Sequence, residues 1–214
     1  AGIVVSASHN PYEYNGIKLF GPDGYKLPDA VEDEIETELD AILAGRSKVS
    51  SGRGNIGKVV DYSEGQAVYE DFLVSACKKG LKGLKVVLDC ANGAAFSVAP
   101  HAFRRLGAEV LVLNDCPDGH NINVSCGATD PSGMAKVTGM LGYDVGFAFD
   151  GDADRSMMAD EKGEIRDGDF EMLMLAKAMK EEDLLGGDAI VATPYSNMGL
   201  AEALKEMGLR LLTA

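Results

Sequence analysis

Short apolar runs rich in β-branched residues alternate along this chain with longer segments whose apolar residues recur at helical spacing. The clearest example lies in the middle, where the pattern predicts a strand over 85–90, a helix over 99–106 that ends at Gly107, and a strand over 109–114. A strand, a crossover helix and a second strand form a βαβ unit, which needs a sheet covered by helices. The chain is therefore predicted to be an α/β protein.

The same alternation extends to both ends of the chain. It predicts strands at 2–5, 16–20, 144–149, 156–160, 164–166, 189–192 and from 209, and helices at 30–43, 63–79, 131–142, 169–181 and 198–207. A polar, Gly/Ser-rich connector covers 46–58, and the alternation starts again near residue 165. These breaks predict one complete middle unit between two incomplete ones.

Composition excludes several classes of partner. The chain has 20 Lys and Arg against 34 Asp and Glu, a formal charge of −14, so neither nucleic acid nor an anionic membrane is expected as a partner. The apolar runs are too short to span a bilayer, and no signal-peptide pattern opens the chain. The cysteines lack metal-site spacing, which favours reduced thiols, two of them in the core, in a cytoplasmic protein. They are Cys77, Cys90, Cys116 and Cys126.

An acidic loop follows the predicted strand at 144–149. Asp150, Asp152 and Asp154 stand at alternate positions, so their oxygens can converge on a divalent cation such as Mg²⁺. A calcium loop of EF-hand type also has Glu161 at its twelfth position, but Arg155 replaces the glycine needed at the sixth. A solvated acidic turn is a weaker alternative, because concentrated like charge beside an apolar strand is unfavourable without a cation. We therefore predict a metal site, with Arg155 available to bind phosphate oxygens.

A serine hydroxyl lies on the turn after the first strand. Ser8 could carry a phosphoryl group, and His9 beside it is expected to have a positioning role. Lys18 could reach the same site as a proton shuttle or phosphate contact, or it could be an exposed strand lysine. A Ser-His-Asp hydrolase is disfavoured, because G-x-S-x-G is absent and neither His101 nor His120 has a suitable context. A hydroxyl, a carboxylate cluster and an arginine together predict a phosphoryl-transfer site.

Several of these motifs resemble one enzyme family, the α-D-phosphohexomutase superfamily. The resemblance is carried by residues 6–11 (SASHNP), 15–18 (NGIK) and 150–155 (DGDADR). Within the superfamily, the softer motifs 89–94 (DCANGA), 121–123 (NIN) and 126–131 (CGATDP) are most similar to bacterial members that act on glucosamine phosphate. The resemblance extends over essentially all 214 residues.

The resemblance implies tandem α/β units with mixed sheets flanked by helices, and a phosphoserine enzyme. Ser8 would donate its phosphoryl group to glucosamine 6-phosphate, and the 1,6-bisphosphate would return one, giving glucosamine 1-phosphate for UDP-N-acetylglucosamine and cell-wall precursors. One Mg²⁺ per active site would be held by a phosphoserine oxygen of Ser8 and by the three aspartates. Lys18 would be the general acid/base, and His9 would lie beside the phosphoserine. Arg155 and Asn10 would bind substrate phosphate. We also expect a homo-oligomer, a dimer in the simplest case.

The family has four domains, which implies a division of this chain into three parts. Residues 1–62 would be the C-terminal part of domain 1, 63–161 the complete domain 2, and 162–214 the start of domain 3. The family's Gly-Glu-x-Ser-Gly-His and Arg-x-Ser-Gly-Thr loops do not occur. We therefore expect a piece of a longer enzyme that is inactive by itself. A phosphomannomutase or phosphoglucomutase piece and a non-catalytic metal- or phosphosugar-binding module are the alternatives.

Overall fold

The structure of the protein is a computed structural model that describes residues 2–48 and 57–214. The predicted alternation of strands and helices is confirmed in both ranges; the part of the predicted connector over 49–56 lies outside the described residues. The strands are β1 (Gly2–Ser6), β2 (Gly16–Phe20), β3 (Lys85–Asp89), β4 (Glu109–Leu113), β5 (Val145–Phe149), β6 (Ser156–Ala159), β7 (Ile165–Arg166), β8 (Ala189–Ala192) and β9 (Arg210–Thr213). The helices are α1 (Asp29–Leu43), α2 (Glu64–Ala76), α3 (Ala95–Arg105), α4 (Ser132–Leu141), α5 (Gly168–Glu181) and α6 (Met198–Glu206).

The central sheet has five strands in the order β4-β3-β5-β6-β7. Strands β4, β3 and β5 are parallel, with Leu88 opposite both Val112 and Phe147, whereas β6 and β7 continue the sheet in antiparallel pairing. An antiparallel pair, β1–β2, precedes this sheet and a parallel pair, β8–β9, follows it. The α/β class with a mixed sheet flanked by helices is thereby confirmed.

The middle sheet is covered on both faces, which explains the continuous apolar run of β3. Val86 and Leu88 pack on one side with Ala95 at the start of α3. Val87 faces the other side and packs with Met134 of α4 and Ala148 of β5. Because successive strand residues point to opposite faces, a strand buried on both sides needs apolar residues at every position. A separate core lies between α5, α6 and the β8–β9 pair.

Helix α3 differs from its predicted start. The sequence pattern places this helix over 99–106, but it begins at Ala95 and contains Pro100 in its interior. Proline cannot donate the backbone hydrogen bond that the helix needs at that position. Ala95, Pro100 and Ala102 are all buried, so packing offsets the missing bond. Tertiary contacts therefore override the local pattern here.

The four cysteines are free: Cys90 and Cys126 are buried as expected, Cys77 is half-buried and Cys116 is exposed. Burial, with a smaller contribution from the nearby Asp89, raises the pKa of the Cys90 thiol to about 12. Within the described residues, no helix combines the length and the apolar character needed to cross a lipid bilayer.

Candidate functional site

Ser8 lies in a tight turn with an unusual backbone conformation. The Asn10 amide donates to the Ala7 carbonyl at 2.9 Å, which closes a four-residue turn. Ser8 is the second residue of that turn and has a φ of 51°. A positive φ at this position is typical of type II′ turns and favours glycine. The Ser6 hydroxyl oxygen accepts the Ser8 amide hydrogen at 2.9 Å, and this bond helps to hold the serine in place.

The acidic loop between β5 and β6 gathers three carboxylates. Asp150 is fully buried, Asp152 is half-buried and Asp154 is exposed, yet each offers an oxygen and these oxygens lie within 4.8 Å of one another. The flanking elements are antiparallel strands, so the EF-hand alternative, which requires two flanking helices, is wrong. Ala153 has a φ of 60°, and its amide donates to the Asp150 carbonyl at 3.1 Å. The resulting turn brings the alternate aspartates to one side.

The electrostatics of this loop favour a cation. Burial, followed by the negative charges of Asp152 and Asp154, raises the pKa of Asp150, although a backbone hydrogen bond from Arg155 opposes the shift. Oδ2 of Asp150 and Oδ1 of Asp152 are buried without a hydrogen-bond partner among the described residues. Unpaired buried carboxylate oxygens are costly unless something positive contacts them. Hard carboxylate oxygens are the ligands that Mg²⁺ prefers, so this donor set fits that ion.

The Ser8 turn docks directly on the middle of the acidic loop. The Ser8 carbonyl oxygen accepts the Gly151 amide hydrogen at 3.1 Å and an Asn123 side-chain hydrogen at 2.7 Å. The approach is so close that a Cβ atom on Gly151 would lie 2.4 Å from the Ser8 carbonyl oxygen. Only glycine allows this contact. Ser8 and Gly151 are 143 positions apart in the sequence, and this contact brings the serine turn and the acidic loop together at one site.

Lys18 reaches the same loop. Its Nζ atom lies 2.6 Å from Oδ2 of Asp152, and its side chain is 43% exposed against 12% for the aspartate. The hydrogen bond to Asp152 raises the pKa of Lys18. Burial opposes ionisation of Asp152, but Lys18 and then the Ser8 hydroxyl outweigh it and lower the pKa of that carboxyl. Lys18 is therefore a partly exposed strand lysine that contacts the acidic loop, and its role as a proton shuttle or phosphate contact stays a prediction.

The other predicted site residues lie around this centre at different depths. His9 is exposed, and its Nδ1 atom lies 3.4 Å from the Ser8 hydroxyl oxygen. Asn10 is half-buried, and its carbonyl accepts from Asn123. Arg155 is exposed; among residues 2–48 and 57–214 its guanidinium makes one ion pair, with Asp154 at 4.0 Å. The structure thus joins the serine turn to the lysine and aspartates, whereas the arginine side chain lies on the outer rim.

Neither additional histidine forms a triad with the serine. His101 on α3 contacts Glu70 of α2 at 3.2 Å. His120 packs edge-on against the ring of Tyr12, with 4.8 Å between the ring centroids. These contacts occupy both imidazoles in structural roles and argue further against a Ser-His-Asp hydrolase.

The contacts of two residues in the site region were not predicted from the sequence, although one of them, Asn123, belongs to the 121–123 motif. Asn123 donates to two carbonyls of the Ser8 turn, but an asparagine in a loop is usually only a turn residue. Glu171 on α5 accepts a hydrogen bond from Ser156, which directly follows Arg155, and its Oε1 atom is buried without a partner in the described structure. Burial is the main cause of the raised pKa of Glu171. From the sequence alone, a glutamate in a helix is expected to be exposed to solvent.

Comparison with known families adds the context for this geometry. Residues 66–163 match the family "Phosphoglucomutase/phosphomannomutase, alpha/beta/alpha domain II", and residues 1–46 match domain I of the same family. Together the two matches cover most of the chain. The chain belongs to the phosphoglucomutase/phosphomannomutase family. Its membership confirms the resemblance recognised from the serine and acidic motifs.

Individual relatives of the family agree with this assignment. The phosphoglucosamine mutase of Desulforudis audaxviator is 47% identical over 99% of this chain, which covers 46% of that protein. A phosphoglucomutase/phosphomannomutase family protein from Burkholderia thailandensis is 27% identical, with a TM-score of 0.72 over 99% of this chain and 44% of that structure. The fold is also shared with Aspergillus fumigatus N-acetylphosphoglucosamine mutase in complex with GlcNAc-6P and magnesium (19% identity, TM-score 0.54, 93% of this chain and 55% of that one). The chain thus spans about half the length of the relatives it matches.

Proposed function

We propose that this chain carries the phosphoserine and metal part of a phosphoglucosamine mutase site, which interconverts glucosamine 6-phosphate and glucosamine 1-phosphate. The observation that carries the proposal is the hydrogen bond from the Gly151 amide to the Ser8 carbonyl, 3.1 Å long, which joins a hydroxyl turn to three clustered carboxylates. Phosphoryl transfer needs a carrier for the group and a nearby cation to offset its charge. This contact holds the two requirements together.

The substrate assignment rests on the relatives. The curated relatives that match over 98–99% of the chain at 45–49% identity carry the name phosphoglucosamine mutase. The Aspergillus structure, which contains GlcNAc-6P and magnesium, has the same fold. We therefore favour glucosamine phosphate and its 1,6-bisphosphate as partners over mannose or glucose phosphates. The division into parts at 1–62, 63–161 and 162–214 belongs to the same proposal.

The proposed steps balance without any further reactant. The bond between Ser8 Oγ and phosphorus breaks, and a bond forms from phosphorus to the C1 oxygen of glucosamine 6-phosphate. The proton of that sugar hydroxyl passes by way of Lys18 to Ser8 Oγ. The 1,6-bisphosphate then turns round, and its 6-phosphoryl group returns to Ser8 while the proton moves back to the sugar. The net reaction moves the phosphate from C6 to C1.

The remaining residues hold and orient these groups. Asp150, Asp152 and Asp154, together with a phosphoserine oxygen of Ser8, would hold one Mg²⁺, which supplies positive charge beside the transferring group when bound. Arg155 and Asn10 would contact phosphate, and Arg155 is exposed enough to reach an incoming substrate. His9, 3.4 Å from the hydroxyl, would orient the carrier serine.

The direct test is transfer to Ser8 itself. The chain is incubated with Mg²⁺ and a hexose 1,6-bisphosphate, and phosphopeptide mass spectrometry then measures modification at Ser8. We expect phosphate on Ser8 in the wild-type chain and none in a Ser8→Ala control. Ser75→Ala is the matched variant, since it removes an exposed hydroxyl on α2 that bonds to the Phe72 carbonyl and is not proposed to carry phosphate.

An unmodified Ser8 under these conditions would favour the non-catalytic binding module instead. The complete reaction is a separate measurement, because the family's sugar-selecting loops do not occur in this sequence. Positioning of the substrate accounts for a large part of such catalysis. We therefore expect little or no turnover of glucosamine 6-phosphate in a coupled mutase assay, and turnover typical of an intact enzyme would contradict this expectation.

A further inference from the structure

The side chain of Asn123 connects the Ser8 turn to the segment between β4 and α4. Its Nδ2 atom donates one hydrogen to the Ser8 carbonyl at 2.7 Å and one to the Asn10 carbonyl at 2.9 Å. In the sequence, Ser8 lies 115 positions and Asn10 lies 113 positions before Asn123. Only the NH₂ end of the amide can face two carbonyl oxygens, which determines its orientation. One side chain therefore spans the turn that presents the hydroxyl.

The position of Asn123 is maintained at a cost in free energy. Its backbone has a φ of 59°, a left-handed conformation that asparagine tolerates better than most residues. Its amide donates to the Ala91 carbonyl at 2.9 Å, so the residue is anchored beside the end of β3. Its Oδ1 atom is buried and has no partner among the described residues. A strained residue with an unpaired buried atom calls for a functional explanation.

The neighbouring contacts show what Asn123 controls. The Ser8 carbonyl accepts from both Asn123 and Gly151, so it is the shared point of the serine turn, the 121–123 segment and the acidic loop. Ile122 lies against Gly151, where an added Cβ would be 2.6 Å from its Cδ1 atom. The serine turn is thus held by the acidic loop through the Gly151 amide and by the 121–123 segment through the side chain of Asn123.

We infer that Asn123 is a positioning residue, which fixes the Ser8 hydroxyl relative to the acidic loop for phosphoryl transfer. The role in phosphoryl transfer rests on the proposed function, whereas the anchoring of the Ser8 turn by Asn123 does not. Asn123 would not touch the transferring group. Its loss would let the turn move, and a displacement of about 1 Å at a reacting atom can reduce a rate about 100-fold.

The test compares substitutions that leave the backbone conformation accessible. Asn123→Asp removes both donors and places carboxylate oxygens against two carbonyls, whereas Asn123→Gly removes the donors without adding charge and also tolerates a positive φ. Asn114→Asp is the matched control, because Asn114 is exposed and has a φ of 52°. The substitution makes the same change in charge at a residue with the same left-handed backbone conformation, but away from the serine turn.

Two readouts on the 214-residue chain decide the inference. Amide hydrogen exchange over residues 6–15 should become about tenfold faster or more in both Asn123 variants, since two hydrogen bonds are lost. With hexose 1,6-bisphosphate and Mg²⁺, the saturating rate of Ser8 phosphorylation should fall roughly 10- to 100-fold. The half-saturating concentration should stay unchanged, and the far-UV circular dichroism of each variant should equal that of the wild type, so that a loss of folded chain does not explain the lower rate.

Exchange over 6–15 equal to that of the Asn114→Asp control would overturn the inference, and so would an equal rate of Ser8 phosphorylation. A wild-type chain that never acquires phosphate at Ser8 would instead refute the proposed function and the catalytic part of the inference. In that case the exchange comparison would still decide whether Asn123 anchors the turn.

Discussion

Replacement of Gly151 by alanine tests the contact on which the site depends. Gly151 lies between two of the proposed metal ligands, and its φ is not positive, so alanine meets no backbone strain there. The added Cβ would lie 2.4 Å from the Ser8 carbonyl oxygen, about 1 Å short of the 3.4 Å at which ordinary contact begins. It would also lie 2.6 Å from Cδ1 of Ile122, but that side chain can rotate away whereas the carbonyl is backbone.

The size of the effect follows from this overlap. The Ser8 turn must move by about 1 Å, which breaks its hydrogen bond to the Gly151 amide and strains the bond to Asn123. A lost hydrogen bond and local overpacking cost about 2 kcal/mol together. For a chain of this length that corresponds to a fall in Tm of roughly 4–8 °C. A 1 Å shift of the hydroxyl should also slow phosphorylation of Ser8 about 100-fold.

The assay pairs thermal unfolding with the rate of Ser8 phosphorylation from a hexose 1,6-bisphosphate. Gly133→Ala is the control. Gly133 lies in the first turn of α4, and a Cβ atom added there would have no neighbouring heavy atom of the described residues within 4 Å. Alanine at that position should stabilise the helix by about 0.5–1 kcal/mol. A Gly151→Ala chain with the Tm and transfer rate of the wild type would refute the docking argument.

Three further predictions concern charge and surface. Asp150→Asn should weaken Mg²⁺ binding at least about tenfold in isothermal titration calorimetry, and unchanged affinity would exclude Asp150 as a ligand. The same substitution should raise the Tm in EDTA, because it removes a buried negative charge that lies beside Asp152 and Asp154. The pKa of Glu171 is raised by burial above its ordinary 4.5, so its contribution to stability is present below that value and is lost as the pH rises through the folded-state pKa. Glu171→Gln should therefore gain stability relative to wild type as the pH rises from about 4 to 8, and a constant difference in Tm would contradict this. Finally, size-exclusion chromatography with light scattering should show a dimer or larger species rather than a monomer, since apolar side chains of the β1–β2 pair are 66–70% exposed. These side chains are Ile3, Val5 and Ile17.

Local sequence patterns predicted the strands and helices, apart from the start of α3, and they predicted that the three aspartates cluster in one loop. A run such as that of β3 must be buried on both faces, and three aspartates after a strand must be paired with something positive. Both statements depend only on nearby residues, and the structure has the strand and the clustered carboxylates where they were expected. The start of α3 was missed because its burial depends on the sheet, which no local pattern contains.

The tertiary structure determines which residues of the candidate site contact one another. Lys18 on β2 pairs with Asp152 across 134 positions, a contact that exists only because the β1–β2 pair lies beside the acidic loop. The carbonyl of Ser8 meets Gly151 and Asn123 because the turn after β1 lies beside loops at the carboxyl edge of the parallel strands. Sequence patterns report the period of strands and helices, which is set by neighbours in the chain. Distances between loops depend on how the elements pack, and that information appears only once the chain has folded.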